Sequence, residues 1–355
     1  MRREFVLPVG RLAASCLRAL KVEQPAKMLR VILLVILSSL SAPRVGEGKE
    51  PRKIPRLCFL TFDPGTVRTR SPRFDGFFQG LQDLGYVDGR TINISYLSAD
   101  NNGDRFPALV DECLNLNPDV IAVTTTPAAH LLKKATKTIP IVMVALGDPL
   151  GTGLVNSLAH PTDNLTGMSL MAPDLATKRL ELLKETVPTI SRILVLSYLA
   201  DPIAPLQVKA MQVAGRSMGV TLIVRDIRTG DDISSAFEAG VQERAEGLLV
   251  TGESMFIVHR ARVTELAARN KLPAVYPFLL PVTDAGGLMA YDVHVPELHQ
   301  RAAAYVDRIL KGAKPSDLPV QQATQFDFVI NLKAAKALSL TIPATLLSRA
   351  TDVIE

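Results

Sequence analysis

The chain has 355 residues, of which 47% are hydrophobic, 21% charged and only 5% aromatic, with no tryptophan. These proportions describe a globular protein with a large core and exclude a disordered, collagen-like or disulfide-dense chain; at about 100 to 200 residues per domain, the length predicts two domains. The formal charge of +5 is confined to the start: residues 1–53 carry eleven Lys or Arg against four acids, net +7, and the rest of the chain stands at −2. Without a basic stripe on the folded part there is no electrostatic footprint for a phosphate backbone, so no nucleic-acid partner is expected.

Residues 1–53 read as an export leader. The apolar run Val31–Leu40 follows Lys27 and Arg30 and precedes the small residues Ser41 and Ala42. Ten residues are too few for a spanning helix, which needs about 20, but suit a signal-peptide core of roughly 7 to 15. Arg2-Arg3-Glu4-Phe5-Val6 resembles a twin-arginine motif placed unusually far from that run, and Met28 is an alternative start. Cleavage is expected between Ala42 and Lys53, and a periplasmic location with it. Cys16 follows only a loose lipobox pattern, and lipidation is not expected.

From Ile54 onward short β-rich runs alternate with helical periodicity. The first half places strands at Leu57–Thr61, Ile92–Tyr96, Val120–Val123 and Ile139–Leu146. Helices follow through Phe74–Leu81 and Phe106–Leu114, from Pro127, and over Leu150–Leu158. The second half repeats this with strands at Ile193–Ser197, Val220–Val224, Gly247–Val250 and Pro273–Tyr276, and helices at about 174–186, 202–217, 231–242 and 254–269. Repeated βα units predict an α/β fold of two Rossmann-like lobes with parallel sheets and right-handed crossovers. A tail of further segments, at Leu288–Tyr291, Pro296–Leu310 and Phe326–Ile330, predicts a multi-crossing hinge. The expected partition is lobe 1 over 54–163 plus 287–322 and lobe 2 over 164–286 plus 323–355.

Chemistry concentrates at the strand exits. Asp63-Pro64, Thr126-Pro127, Asp148-Pro149 and Asp201-Pro202 each place a capping oxygen before proline directly after a strand, the preferred grammar of a helix start. The carboxyl ends of strands are also where open α/β sheets bind ligands, with helix N-termini offering N–H groups to anions. Enzyme signatures are missing from the sequence: no GxGxxG, Walker A, HExxH or GxSxG, and Gly147–Gly153 has the wrong spacing for a phosphate loop. His294 and His299 are five apart and off a common helix face, so no metal pair is expected. Cys58 and Cys113 lack metal-ligand spacing and read as small buried hydrophobes. No cofactor, metal or catalytic residue is expected.

Several of these segments together resemble one family. They are GLQDLGYVDGR at Gly80–Arg90, NPDV at Asn117–Val120, TTTPAA at Thr124–Ala129, TIPIV at Thr138–Val142, GDP at Gly147–Pro149, NLTG at Asn164–Gly167, KRLELLK at Lys178–Lys184, GGLM at Gly286–Met289 and NLK at Asn331–Lys333. Their order and spacing over Ile54–Glu355 resemble ABC-transporter substrate-binding proteins of the tryptophan/tyrosine-import type. The resemblance implies a type I periplasmic-binding-protein fold and a non-enzymatic role. Carried over by position, it implies first-lobe ligand contacts from Phe62, Asp63, Thr66, Thr124, Thr125, Thr126, Ala128, Gly147 and Asp148. Second-lobe contacts would come from Met168, Ser169, Tyr198, Asp201, Gly252, Glu253 and Ser254, with Tyr291 and Asp292 near the hinge. Asp201 stands where the family usually has Asn, which adds a negative charge that favours an amine or repels a carboxylate; Glu253 stands where it often has Asp, and Phe62-Asp63 is bulkier than the common small polar loop.

The expectation is an exported solute-binding protein that closes as a monomer over a small amino-acid-like ligand and presents it to a membrane permease, by a shift of population toward the closed state. Two other classes share the α/β pattern. A repressor's effector domain would need a helix-turn-helix leader, which Val31–Leu40 is too uniformly apolar to supply. An α/β enzyme would need a constellation that sequence spacing alone does not reveal.

Overall fold

Parallel strands covered on both faces must be apolar on both faces, and the central strands of the first half of this chain obey that rule. In the computed structural model, which describes residues 53–161 and 164–355, β1 (Arg56–Thr61) is buried from Leu57 onward, and the strands Val120–Val123 and Ile141–Leu146 are buried throughout. The expected leader features, Cys16, Met28 and the cleavage window up to Arg52, lie outside the described residues. No helix among the described residues is long and apolar enough to cross a membrane.

In chain order, β1 is followed by α1 (Asp75–Asp83), β2 (Asn93–Ser98), α2 (Phe106–Asn115), β3 (Val120–Val123), α3 (Thr126–Ala135), β4 (Ile141–Leu146) and β5 (Leu165–Ser169). The second run comprises α4 (Ala172–Thr186), β6 (Arg192–Ser197), α5 (Ala204–Ser217), β7 (Thr221–Asp226), α6 (Asp232–Gln242), β8 (Gly247–Val250), α7 (Ser254–Val258), α8 (Arg260–Arg269), β9 (Ala274–Tyr276), α9 (Leu280–Thr283) and β10 (Met289–Val293). The tail adds α10 (Val295–Leu310), β11 (Gln321–Gln322), β12 (Phe326–Asn331), α11 (Leu332–Ala337), α12 (Ala344–Leu347) and β13 (Asp352–Ile354).

Two sheets result, of order β11-β5-β4-β3-β1-β2 and β13-β12-β10-β9-β8-β6-β7. The first is parallel throughout. The second departs from the parallel expectation, because β12 runs antiparallel to β10. The tail returns from the other lobe and reaches that sheet from its opposite end. The five strands at the core of each sheet share one winding, and in both the order reverses between the first strand and the third.

Chain crossings differ from the expected partition. β5 belongs to the first sheet and β10 to the second, so the chain passes between lobes at 170–171 and at His294, and again between β11 and β12. The boundaries at 163/164 and 286/287 fall one strand too early in each case. α10 returns to the first lobe and packs on α1. A Cβ at Gly80 would lie 2.9 Å from Ala303 Cβ, and one at Gly76 would lie 2.7 Å from the Pro296 carbonyl oxygen, so two glycines one helical turn apart let the helices approach.

Two expected helices change. Residues 150–158 form turns rather than a helix: Gly153 has a φ of +74°, and Asp148 Oδ1 accepts from the Gly151 N–H at 2.9 Å. Leu154 and Val155 are buried all the same. The helix expected over 254–269 is two helices parted at His259, whose ψ of 15° ends α7. Cys58 and Cys113 are buried, as expected of small hydrophobes, but they form a disulfide joining β1 to α2 across a Cα–Cα distance of 6.0 Å. Two thiols brought face to face by one βα crossover are placed to bond, which sequence spacing does not reveal.

Candidate ligand-binding cleft

The strand order fixes where a ligand fits. In each lobe the chain winds to opposite sides after the first strand, which leaves a crevice at the carboxyl edge between β1 and β3, and between β6 and β8. The two edges face each other across a cavity of about 140 Å³. Its walls are Phe62 after β1, Thr124–Pro127 after β3 and Gly147 after β4, against Tyr198 and Asp201 after β6, Gly252–Met255 after β8 and Phe278 after β9. At roughly 10 to 15 Å³ per enclosed water, this space suits a ligand portion of about ten heavy atoms.

The first lobe offers donors. Thr125 holds the N-cap position of α3 with extended backbone (φ −135°, ψ 145°), and Thr126 is the first helical residue, so the expected cap moves back by one. Pro127 supplies a fixed φ but no N–H. The Thr125 hydroxyl is buried without a hydrogen-bond partner, whereas the Thr124 hydroxyl is already engaged with Thr61 Oγ1 at 3.0 Å. A free hydroxyl beside the positive end of a helix suits a ligand carboxylate. Arg73, in a 3-10 turn before α1, donates from Nη2 to Asp63 Oδ1 at 2.8 Å and to Ser254 Oγ at 3.1 Å, reaching across the cleft.

The second lobe offers acids. Asp201 is buried, its Oδ1 accepting only the Ile203 N–H at 3.1 Å, and burial pushes its carboxyl up to about 7. Glu253 is buried among neutral donors: Gln207 Nε2 at 2.8 Å on Oε1, and Thr251 Oγ1 and the Tyr198 N–H on Oε2. Burial, reinforced by the neighbouring Asp201 charge, raises Glu253 to about 8. Gln207 is locked in turn, because its Oε1 accepts the Gly252 N–H at 3.0 Å. Two like carboxyls in one dry wall hold protons until a cation arrives to share them.

The lobes are in contact. A Cβ at Gly147 would lie 2.5 Å from Ile203 Cγ1 on the opposite lobe, so glycine is what lets the two edges meet. Together with the Arg73–Ser254 bridge, this defines a closed cleft.

Of the residues expected at the ligand, the structure gathers Phe62, Thr124, Thr125, Thr126, Gly147, Tyr198, Asp201, Gly252, Glu253 and Ser254 around the cavity. Others lie apart. Asp63 stands behind, holding Arg73; Thr66 is exposed in a turn with Thr69; Ala128 and Met168 are core residues. Asp148 caps its own turn, and the Ser169 hydroxyl accepts the Met171 N–H. Tyr291 stacks on Phe326 at 5.9 Å on the second lobe, and Asp292 lines a neighbouring chamber. Sequence reasoning missed Arg73, Ala145, Leu170, Ile203, Met255 and Phe278 among the lining residues. Arg73 in particular sits in a loop without a strand exit to mark it.

The family described as ABC transporter substrate binding protein matches residues 68–354. A curated relative, "Tyrosine-binding protein" of Clostridioides difficile strain R20291, is 27% identical over 266 residues, 75% of this chain and 76% of that protein. The solved "ABC domain in complex with L-Trp" from Streptococcus pneumonia is 25% identical, with a TM-score of 0.77 over 85% of this chain and 100% of that one. A ligand-free, open substrate binding protein with adhesive properties from Clostridium difficile is also 25% identical over 85% of this chain and 99% of its own, yet its TM-score is 0.59. At equal identity and coverage, the closer match is to the ligand-bound protein, as the contact between lobes requires. The two-lobed architecture is the type I periplasmic-binding-protein fold, and a family match over most of the length leaves one conclusion: the chain belongs to the ABC transporter substrate binding protein family, whose members bind substrates rather than transform them.

Proposed function

We propose that this chain is the exported ligand receiver of an ABC importer, and that it closes over a zwitterionic aromatic amino acid of the tryptophan or tyrosine kind for delivery to a membrane permease. The observation that carries the reading is the facing of unlike walls: Thr125 with a free hydroxyl at the N-terminus of α3 on one lobe, Asp201 and Glu253 on the other. A carboxylate suits the first wall and an ammonium the second, so one α-amino acid spans the cleft. Such a ligand stabilises the closed state only, which is what drives hinge closure. The relatives named for tyrosine and solved with L-Trp support an aromatic side chain. The disulfide supports an oxidising compartment, since such bonds are rare in the reducing cytosol.

Calorimetric titration of the protein without its first 53 residues tests this. L-tryptophan and L-tyrosine are the positive probes, with tryptamine lacking the carboxylate and indole-3-propionate lacking the ammonium. The expected outcome is binding of at least one amino acid and at least tenfold weaker binding of both truncated analogues. Equal affinity for an analogue and its parent would defeat the two-wall assignment.

A further inference from the structure

A second chamber adjoins the cleft on its hinge side. It measures about 390 Å³, against about 140 Å³ for the interlobe cavity, and the two share Arg73, Thr124, Ala145, Leu170 and Phe278 as walls. Arg73 therefore stands on the boundary between the two. Its guanidinium points to Asp63 and Ser254, and its Cζ lies 4.5 Å over the Phe74 ring. Beyond it the walls are mainly apolar, from Phe74, Val144, Ile257 and Leu280.

Two side chains that line the chamber carry a buried, unpaired nitrogen: Arg73 at Nε, a donor, and His299 at Nδ1. His299, on α10, is 4% exposed, lines the chamber and stacks on Phe74 with ring centroids 6.0 Å apart. Burial and the Arg73 charge push its imidazole down to about 3, and a hydrogen bond to the Arg73 backbone accounts for one ring nitrogen. Nδ1 has no partner. A neutral imidazole whose Nε2–H is spent on a carbonyl presents Nδ1 as an acceptor. An unmatched buried acceptor destabilises unless a donor meets it.

We propose that the hinge-side chamber receives the aromatic ring of an amino acid whose charged head occupies the interlobe cavity, and that His299 Nδ1 accepts the ring's indole N–H or phenol O–H. The inference rests on the amino-acid reading and adds the place and the selectivity of the side chain. The smaller cavity holds the head but falls short of a whole tyrosine or tryptophan, and the larger chamber supplies the apolar surface that an aromatic ring needs. Selectivity follows from the unpaired acceptor, because a site built to meet a donor disfavours an analogue lacking one. Tryptophan or tyrosine would then be preferred to phenylalanine.

The experiment titrates the wild-type protein, His299→Phe and Leu280→Trp with L-tryptophan, L-tyrosine and L-phenylalanine, after melting curves show that each variant is folded. His299→Phe keeps the stacking ring and removes the acceptor; the expected result is about tenfold weaker binding of the preferred donor-bearing amino acid, with phenylalanine unchanged. Leu280→Trp fills the chamber from its partly exposed rim and is expected to weaken all three at least tenfold. It decides alone if His299→Phe does not fold. Wild-type binding that neither folded variant alters would overturn the chamber and leave the amino-acid reading standing. No wild-type binding of any of the three would overturn the amino-acid reading itself, and the chamber assignment with it.

Discussion

Arg73 of the first lobe donates to Ser254 Oγ of the second at 3.1 Å, a hydrogen bond that joins the two lobes across the cleft. The guanidinium stays anchored on its own lobe by Asp63 at 2.8 Å, so Ser254 meets a donor already in place. Ser254→Ala removes the acceptor without creating a large void. The expected result is a three- to tenfold loss of ligand affinity, the scale of one partly exposed hydrogen bond, with the melting temperature of the ligand-free protein unchanged. Calorimetry beside a melting curve decides it; an unchanged affinity would show that the bridge does not hold the lobes together.

Asp201→Asn separates ligand binding from stability. The carboxyl is buried with a single N–H partner, so an amide of the same shape relieves an expensive group while removing the charge that attracts an ammonium. Affinity for the amino acid should fall by about tenfold or more, while the melting temperature at neutral pH holds or rises. A variant that melts lower and binds normally would reduce Asp201 to a helix-start residue. Thr125→Val makes the matching test on the other wall: its hydroxyl has no protein partner to lose, so only ligand affinity should change.

Protonation gives the cleft a pH dependence of known sign. Burial holds Asp201 up at about 7, and burial with the Asp201 charge holds Glu253 up at about 8, both above their ordinary carboxylate values. The folded, empty protein thus keeps protons that the unfolded chain releases. These groups contribute stability that is full below about pH 4 and is lost as pH rises through 7 to 8. A bound ammonium favours the ionised forms, so binding should expel protons and tighten as pH rises from about 5 to 7.5, where an amino acid keeps both its charges. Dissociation constants measured across that range, in buffers of different ionisation enthalpy, test the point. A flat or falling affinity would mean that no ammonium sits against this pair.

The lobes and most of the cleft were legible because strand exits follow from local pattern. Thr124–Thr126 and Tyr198–Asp201 each end an apolar run, and the reversal of strand order does the rest. Crossing points were not legible in the same way. β5 and β10 are short and buried on both faces like their neighbours, so nothing local says which sheet receives them. The segment 150–158 carries Leu150, Leu154 and Leu158 at helical spacing, but Gly151 and Gly153 favour turns; Leu154 and Val155 bury without a helix, and Leu150 stays exposed. Arg73 has no local signature at all, since its meaning comes from Asp63 ten residues back and Ser254 on the other lobe.

The disulfide carries the last prediction. Cys58 lies in the middle of β1 and Cys113 on the buried face of α2, and the bond closes a loop of 55 residues that contains α1, β2 and the wall residue Phe62. In the chain-entropy account a loop of that length loses freedom in the unfolded state worth about 4 kcal/mol, and most native bonds in secreted proteins deliver roughly 2 to 5. Reduction should therefore lower the melting temperature by several degrees, and so should Cys58→Ala with Cys113→Ala. The variant also forfeits packing of two buried side chains, so Cys58→Val with Cys113→Ala, which restores volume in the strand, separates the link from the filling. Ligand affinity should be nearly unaffected in every folded form, because neither sulfur lines the cleft. Melting curves with and without reductant, at a temperature where the reduced protein stays folded for titration, supply both readings. A melting temperature indifferent to reductant, with the thiols shown by mass to be free, would mean that the bond adds nothing to the fold.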